Sequence, residues 1–282
     1  MSTLKVDAIR HKIEAQDLQQ LAYGTSGAKS ITLSFYVRST VTGTYAICLQ
    51  QKDNSSKQVN GTYTINSANT WERKTFTFAG DTSGVINDDN GHGLDILWTL
   101  LAGSNRTSGS ARPTWTAHAN ADESFGHTAN VLSSTSNDWL ITGVQLEVGD
   151  TATSFEHRSI GEELHRCQRY FYMCADGTRG KAGTNRAPIC TGAMYNASNF
   201  NGVVNFPVEM RTTPSLYKVV GSGYFRIWGN GGSDGCNDVV LEGSSPQCGI
   251  ANIYDGLSQT SGSATWATTD NAACRLGFQA EL

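Results

Sequence analysis

The chain has 282 residues with only 16% charged side chains and a formal net charge of −4. Gly, Ser, Thr and Asn number 30, 27, 30 and 19, more than a third of the chain, while Pro is 5. That arithmetic excludes a long-helix or coiled-coil protein, which draws on Glu, Lys, Ala and Leu, and a disordered one, which combines high charge with few aromatics. Abundant Thr, Gly, Asn and aromatics are what many short strands and tight turns require. No Lys/Arg run exists, so no phosphate-tracking surface and no nucleic-acid partner is expected. No stretch of 18 apolar residues occurs, so no membrane insertion is expected. The opening MSTLKVDAIRHK lacks the apolar run of a secretory signal.

Residues 1–12 read as a short N-terminal arm. Residues 13–22 read as a helical turn or a strand with a bend. From Ser30 the pattern sharpens: Ile31, Leu33, Phe35 and Val37 alternate with Thr32, Ser34, Tyr36 and Arg38, the period of a half-buried strand. TGTYAICLQQ is a second strand. KQVNGTYTI contains Asn60-Gly61, a hairpin turn signal. WERKTFTFAG alternates again. LDILWTLLAG is a near-continuous apolar run, which suits a strand buried on both faces, and DWLITGVQLEVG closes the set. About eight strands over 13–158 predict an antiparallel jelly-roll sandwich. The polar stretch between Gly103 and Asp138 is a long loop with Trp115, His118, Phe125 and His127, and such loops are usually functional or mobile.

At Ser159 the period changes. Ser159 followed by Glu162 is a capping box, and Ile160, Leu164, Cys167 and Phe171 share a helical face, so a helix is predicted over 160–171 within a linker, 159–173. Strand-like segments then return over 174–282, a second β-sandwich or barrel domain ending in a strand rather than a tail. Six of the seven cysteines fall after residue 158, without a CxxC pair. They read as buried free thiols rather than disulfides or zinc ligands.

No hydrolase elbow, phosphate loop, dinucleotide fingerprint or HExxH occurs. The loop DDNGHG around His92 reads as a polar turn rather than a cation site. Glu72, Asp95, Glu123, Glu209 and Glu242 read as solvated strand or turn residues. No catalytic set, metal or cofactor is expected, and the chain is expected not to be an enzyme. What the sequence does offer is aromatics beside polar turns: Trp115, Trp228, Tyr254 and Trp266. Sugar C–H faces stack on such rings, and these four are the candidate glycan contacts, against the ordinary alternative that strand aromatics pack in cores.

The segment Ile141–Phe171 carries VQLEVG, ATSFEHRS, GEEL and CQRYF in order. It resembles a signature of tail-fibre and related virion proteins of tailed bacteriophages, where it closes a jelly roll of carbohydrate-binding-module type. MSTLKVDAIRH and GFQAEL look like the opening and closing segments of the same proteins. The resemblance implies an all-β virion protein, a tail fibre or spike. In that reading residues 1–12 attach to other virion proteins, and the C-terminal domain contacts a host surface glycan or receptor. It also implies a homotrimer, with Leu164, Cys167 and Phe171 as candidate axis residues. A capsid decoration, cement or head-fibre protein is the alternative, and a polysaccharide depolymerase a second one. The virion surface is the expected location.

Overall fold

The computed structural model describes residues 7–53, 56–229 and 231–281. The chain forms two compact units that divide between His157 and Arg158. Antiparallel strands are the dominant regular structure of both, so the expected all-β class holds.

In the N-terminal unit the strands are β1 (Asp7–Glu14), β2 (Ile31–Ser39), β3 (Gly43–Gln51), β4 (Lys57–Ile65), β5 (Glu72–Phe78), β6 (His92–Leu101), β7 (Thr116–Ala117) and β8 (Trp139–Val148), with a single-turn helix α1 (Ser104–Thr107). They make a sheet ordered β1-β6-β3-β4-β7 and a smaller one ordered β5-β2-β8. The alternating Ile31, Leu33, Phe35 and Val37 of β2 are all fully buried. Phe35 sits at the centre, edge-on to Tyr63 at 5.4 Å and to Trp98 at 5.9 Å. Edge-to-face aromatic packing at this spacing adds to the area they bury. β6 is buried on both faces, as its near-continuous apolar run predicts.

The sequence reading needs three corrections in this unit. Of the expected arm over 1–12, residues 1–6 lie outside the described residues, and Asp7–Lys12 belong to β1, paired with β6. Residues 13–22 combine both readings offered for them: β1 runs on to Glu14, and a 3-10 helix follows over Ala15–Leu21. Asn60-Gly61 is no turn; it lies inside β4, with Gly61 opposite Ile47. The Gly61 position is set by packing, since a Cβ there would lie 3.0 Å from the Phe76 ring. Asn60 is buried and anchors the long loop, its Nδ2 donating to the Asp122 carbonyl at 2.6 Å and its Oδ1 accepting from the Arg112 amide at 2.8 Å.

The motif residues around β8 form a strap. Gln145 and Glu147 project from β8 and hold the following ATSFE segment. The Glu147 carboxylate accepts from the amide and hydroxyl of Thr153, and Gln145 Oε1 accepts from the Glu156 amide at 2.8 Å. Those hydrogen bonds, the Thr153 hydroxyl first, pull the Glu147 carboxyl below its ordinary range. The returning chain lies over the outer side of β8, with Phe155 beside Gly143.

The C-terminal unit begins with α2 (Ile160–Gln168). It continues with β9 (Phe171–Asp176), β10 (Pro188–Asn196), β11 (Asn199–Asn205), β12 (Ser215–Val219), β13 (Phe225–Gly229), β14 (Gly232–Cys236), β15 (Asp238–Ser244), β16 (Cys248–Tyr254), β17 (Ala264–Thr269) and β18 (Arg275–Gln279). A seven-stranded sheet ordered β14-β13-β17-β10-β11-β16-β15 and a three-stranded sheet ordered β12-β18-β9 enclose a core around Phe200, Phe225, Ile227, Ile253 and Phe278. The C-terminal strand is the centre of the smaller sheet, as expected. Two strands escaped the sequence reading. β14 is GSDGC, without an apolar alternation, and β9 lies across the expected helix end at Phe171, the linker to 173 and the start of the expected C-terminal domain.

Ser159 caps α2 as predicted, its hydroxyl accepting the Glu162 amide at 3.2 Å. The helix is shorter than expected, however. It ends at Gln168, and Phe171 pairs with Gln279 in the three-stranded sheet. All seven cysteines are free thiols. Burial pushes Cys174, Cys190, Cys236 and Cys274 up to about 12, so they stay protonated and act as small apolar side chains.

Candidate functional site

The seven-stranded sheet turns one face to its core and leaves the other open. Trp228 on β13 and Trp266 on β17 are directly paired across strands. Side chains paired this way leave the sheet on the same face, close enough to touch. The two indoles stack with centroids 5.4 Å apart and planes 17° off parallel. Their neighbours in sequence, Ile227 and Ala267, point the opposite way and are buried, which is the period-2 rule applied to both strands. Trp266 remains 45% exposed. Trp228 is half-buried and donates from Nε1 to the Thr268 hydroxyl at 3.1 Å.

Beside the pair lies a cleft of about 590 Å³ lined by both tryptophans, Ala264, Ser233 and three glycines, Gly229, Gly231 and Gly232. The glycines keep the space open. Gly231 has φ +74°, a left-handed conformation that glycine adopts without cost. The open face continues past β10 with Val203 and Ile250, themselves paired and both exposed. Four strand spacings separate Trp228 from Ile250, roughly 19 Å across the sheet.

Charged groups frame the aromatic pair. The Arg186 guanidinium lies 4.8 Å from the Trp228 ring centroid and that of Arg226 lies 5.8 Å away. Asp270 joins them, accepting from Arg186 Nε at 3.0 Å and from Arg226 Nε at 2.7 Å. Partial burial acts to raise the Asp270 carboxyl, but the bonds from Arg226 and Arg186 outweigh it and hold the group below its ordinary range. The carboxylate is therefore a fixed anchor for two cations at neutral pH.

Of the four aromatics named from the sequence, two come together here and two do not. Tyr254 lies three strands from Trp266, and its hydroxyl donates to Asp238 at 3.2 Å. The Asp238 charge pushes that phenol up. Trp115 belongs to the N-terminal unit and packs against its core. It sits edge-on to Tyr23 at 5.7 Å, with its Nε1 donating to the Ala79 carbonyl at 2.7 Å. The ring is half-buried there and is not part of the Trp228–Trp266 pair. Arg186, Arg226 and Asp270 went unnoticed in the sequence. They are 40 to 84 residues apart, and no spacing relates them.

The candidate axis residues divide as well. Leu164 and Cys167 are exposed on α2, while Phe171 is half-buried in β9, edge-on to Tyr217 at 5.5 Å. Two carboxylates expected at the solvated surface are instead buried. Asp95 is fully buried beside Arg10, Lys52 and His92, and Glu123 is buried beside Arg106 and His118. Each has a cation beside it, Arg10 and Lys52 for Asp95 and Arg106 for Glu123, which is the usual condition for burying a charge. The DDNGHG turn closes on itself, the Gly91 amide donating to Asp89 at 2.8 Å. Among the described residues no group of three or more His, Cys, Asp or Glu is placed to hold a metal ion.

No family model matches the chain, and no curated protein matches it. Among solved structures, recombinant discoidin II of Dictyostelium discoideum aligns over 89% of this chain and 73% of its own, at 10% identity and a TM-score of 0.20. A score that low leaves the two folds unsuperposed, and no property passes from one to the other.

Proposed function

We propose that this chain is a virion protein of a tailed bacteriophage, a fibre or spike component, and that its C-terminal unit holds a host-surface glycan on the Trp228–Trp266 platform. The observation that carries the binding reading is the stacked, partly exposed indole pair beside an open cleft. A large aromatic pair held by a cross-strand ladder is rigid before the ligand arrives, so little ordering cost falls on binding. Convergent polar groups beside the rings, the Ser233 hydroxyl and the Arg186 guanidinium, supply hydrogen bonds for hydroxyls. The virion reading is supported by the ordered motifs over Ile141–Phe171. The N-terminal unit serves as the spacer in this reading. The chain acts by binding and not by catalysis.

Trp266→Ala tests the platform. The side chain is exposed, so the thermal midpoint should stay within the range of ordinary surface changes. Binding to host-derived polysaccharide should fall about tenfold or more, as for a central aromatic contact. Undiminished binding by this variant removes the platform reading, and release of reducing ends from the polysaccharide replaces it with a depolymerase. A cryo-electron microscopy map of the particle separates a tail fibre from a head decoration.

A further inference from the structure

The two arginines beside Trp228 are not equivalent. Arg226 is fully engaged: Nε and Nη2 both meet Asp270 Oδ2, and Nη1 donates to Ser233 at 3.1 Å. Arg186 gives only its Nε, to the other carboxylate oxygen. Its two terminal amino groups hold no partner among the described residues, and its side chain is 38% exposed. One carboxylate set against two guanidinium groups leaves one unit of positive charge at the site. That charge sits on Arg186, whose free end is a planar, two-pronged donor. Such a fork matches the two oxygens of a carboxylate or phosphate, and its orientation is already set by the Asp270 bond and the Trp228 ring.

We propose that the platform takes an acidic saccharide, with the sugar ring stacked on the Trp228–Trp266 pair and its carboxylate or phosphate group held by the terminal amino groups of Arg186. This rests on the glycan reading above and specifies its ligand class. It is also a local property. The whole chain carries a formal charge of −4 and does not attract polyanions in general.

Calorimetry on the protein decides it, with oligogalacturonate, its methyl ester and a hexose-phosphate polymer as probes. The ester keeps the stacking face and loses the charge. In low salt, about 0.05 M, at least one acidic probe should bind about tenfold or more tightly than the ester, and the advantage should shrink at about 0.5 M. Preference for the uronate or for the phosphate polymer assigns the anionic group. Arg186→Gln should bring the acidic probes down to the level of the ester, so that the acid preference disappears. Asp270 keeps Arg226 in this variant, so the strand ends remain tied. Arg186→Lys keeps the charge without the fork and should retain part of the preference. Equal binding of acid and ester, with Trp266→Ala abolishing both, overturns the acidic-ligand inference and leaves glycan binding standing. An acid preference that Arg186→Gln does not change also overturns it. No binding of any probe or of host polysaccharide overturns both readings.

Discussion

Single residues in the N-terminal unit show how polar groups are used inside a β-sandwich. Asn60 is buried and bonds in both directions to the long loop, so it ties the loop to β4 from within. Asn60→Ala leaves the Arg112 amide unpaired and removes one of the two donors to the Asp122 carbonyl, which also accepts the Phe125 amide, and should cost about 2 kcal/mol. Denaturant unfolding followed by circular dichroism measures that loss, and an unchanged midpoint contradicts the anchoring role. His127 is buried too, and its Nδ1 accepts the Ala46 amide at 3.2 Å. Burial pushes its pKa below the ordinary value of 6.5. The unfolded chain therefore binds the proton more readily than the folded one. Stability is complete above the unfolded value and declines as pH falls through about 6.5 toward the folded value. Thermal midpoints between about pH 8 and 5 should show this decline, and His127→Gln should reduce it, leaving the part that comes from His11, whose pKa burial also lowers.

The strap beyond β8 is the element whose sequence is most distinctive and whose role is structural. Gln145 and Glu147 leave β8 two residues apart, on one face, and both reach the same returning segment. Glu147→Ala removes the acceptor of the Thr153 amide and hydroxyl. Hydrogen exchange at Thr153 and Glu156 should quicken while the amides of β6 stay protected; unchanged exchange contradicts the strap. Helix α2 lies at the other extreme. Its cap and first-turn acids were legible, but nine residues is short for a helix without tertiary support. Its end was misplaced because the periodic signal at Phe171 belongs to β9, where the same residue fills a sheet position instead of a helix face. Strands were legible where alternation or an apolar run marked them. β14 was not, because a Gly- and Ser-rich strand is specified by its pairing with β13.

On the scale of the whole molecule, the chain's low charge and exposed apolar side chains favour self-association. Ile160 is 86% exposed and Leu164 53%, and with Cys167 they occupy one stripe of α2 at i, i+4 and i+7. The resemblance to virion fibre proteins implies a homotrimer, and we propose that this stripe faces its axis. Light scattering should return three times the 30.3 kDa chain mass. Leu164→Glu should lower that mass without altering the circular dichroism of either unit. A wild-type mass of one chain removes the trimer.

Composition and alternation were enough to establish an all-β protein in two parts, because side-chain period and turn chemistry are local properties that each segment carries in its own order. They also named Trp228 and Trp266, as they named Trp115 and Tyr254, without separating the pairs. Only the tertiary structure made that separation. A cross-strand ladder set two tryptophans side by side on an open face, core packing half-buried the third, and Asp238 claimed the hydroxyl of the tyrosine. The same ladder brought Arg186, Arg226 and Asp270 to the rings from distant strand ends. Register between strands depends on pairings across the whole chain, and no single segment encodes it.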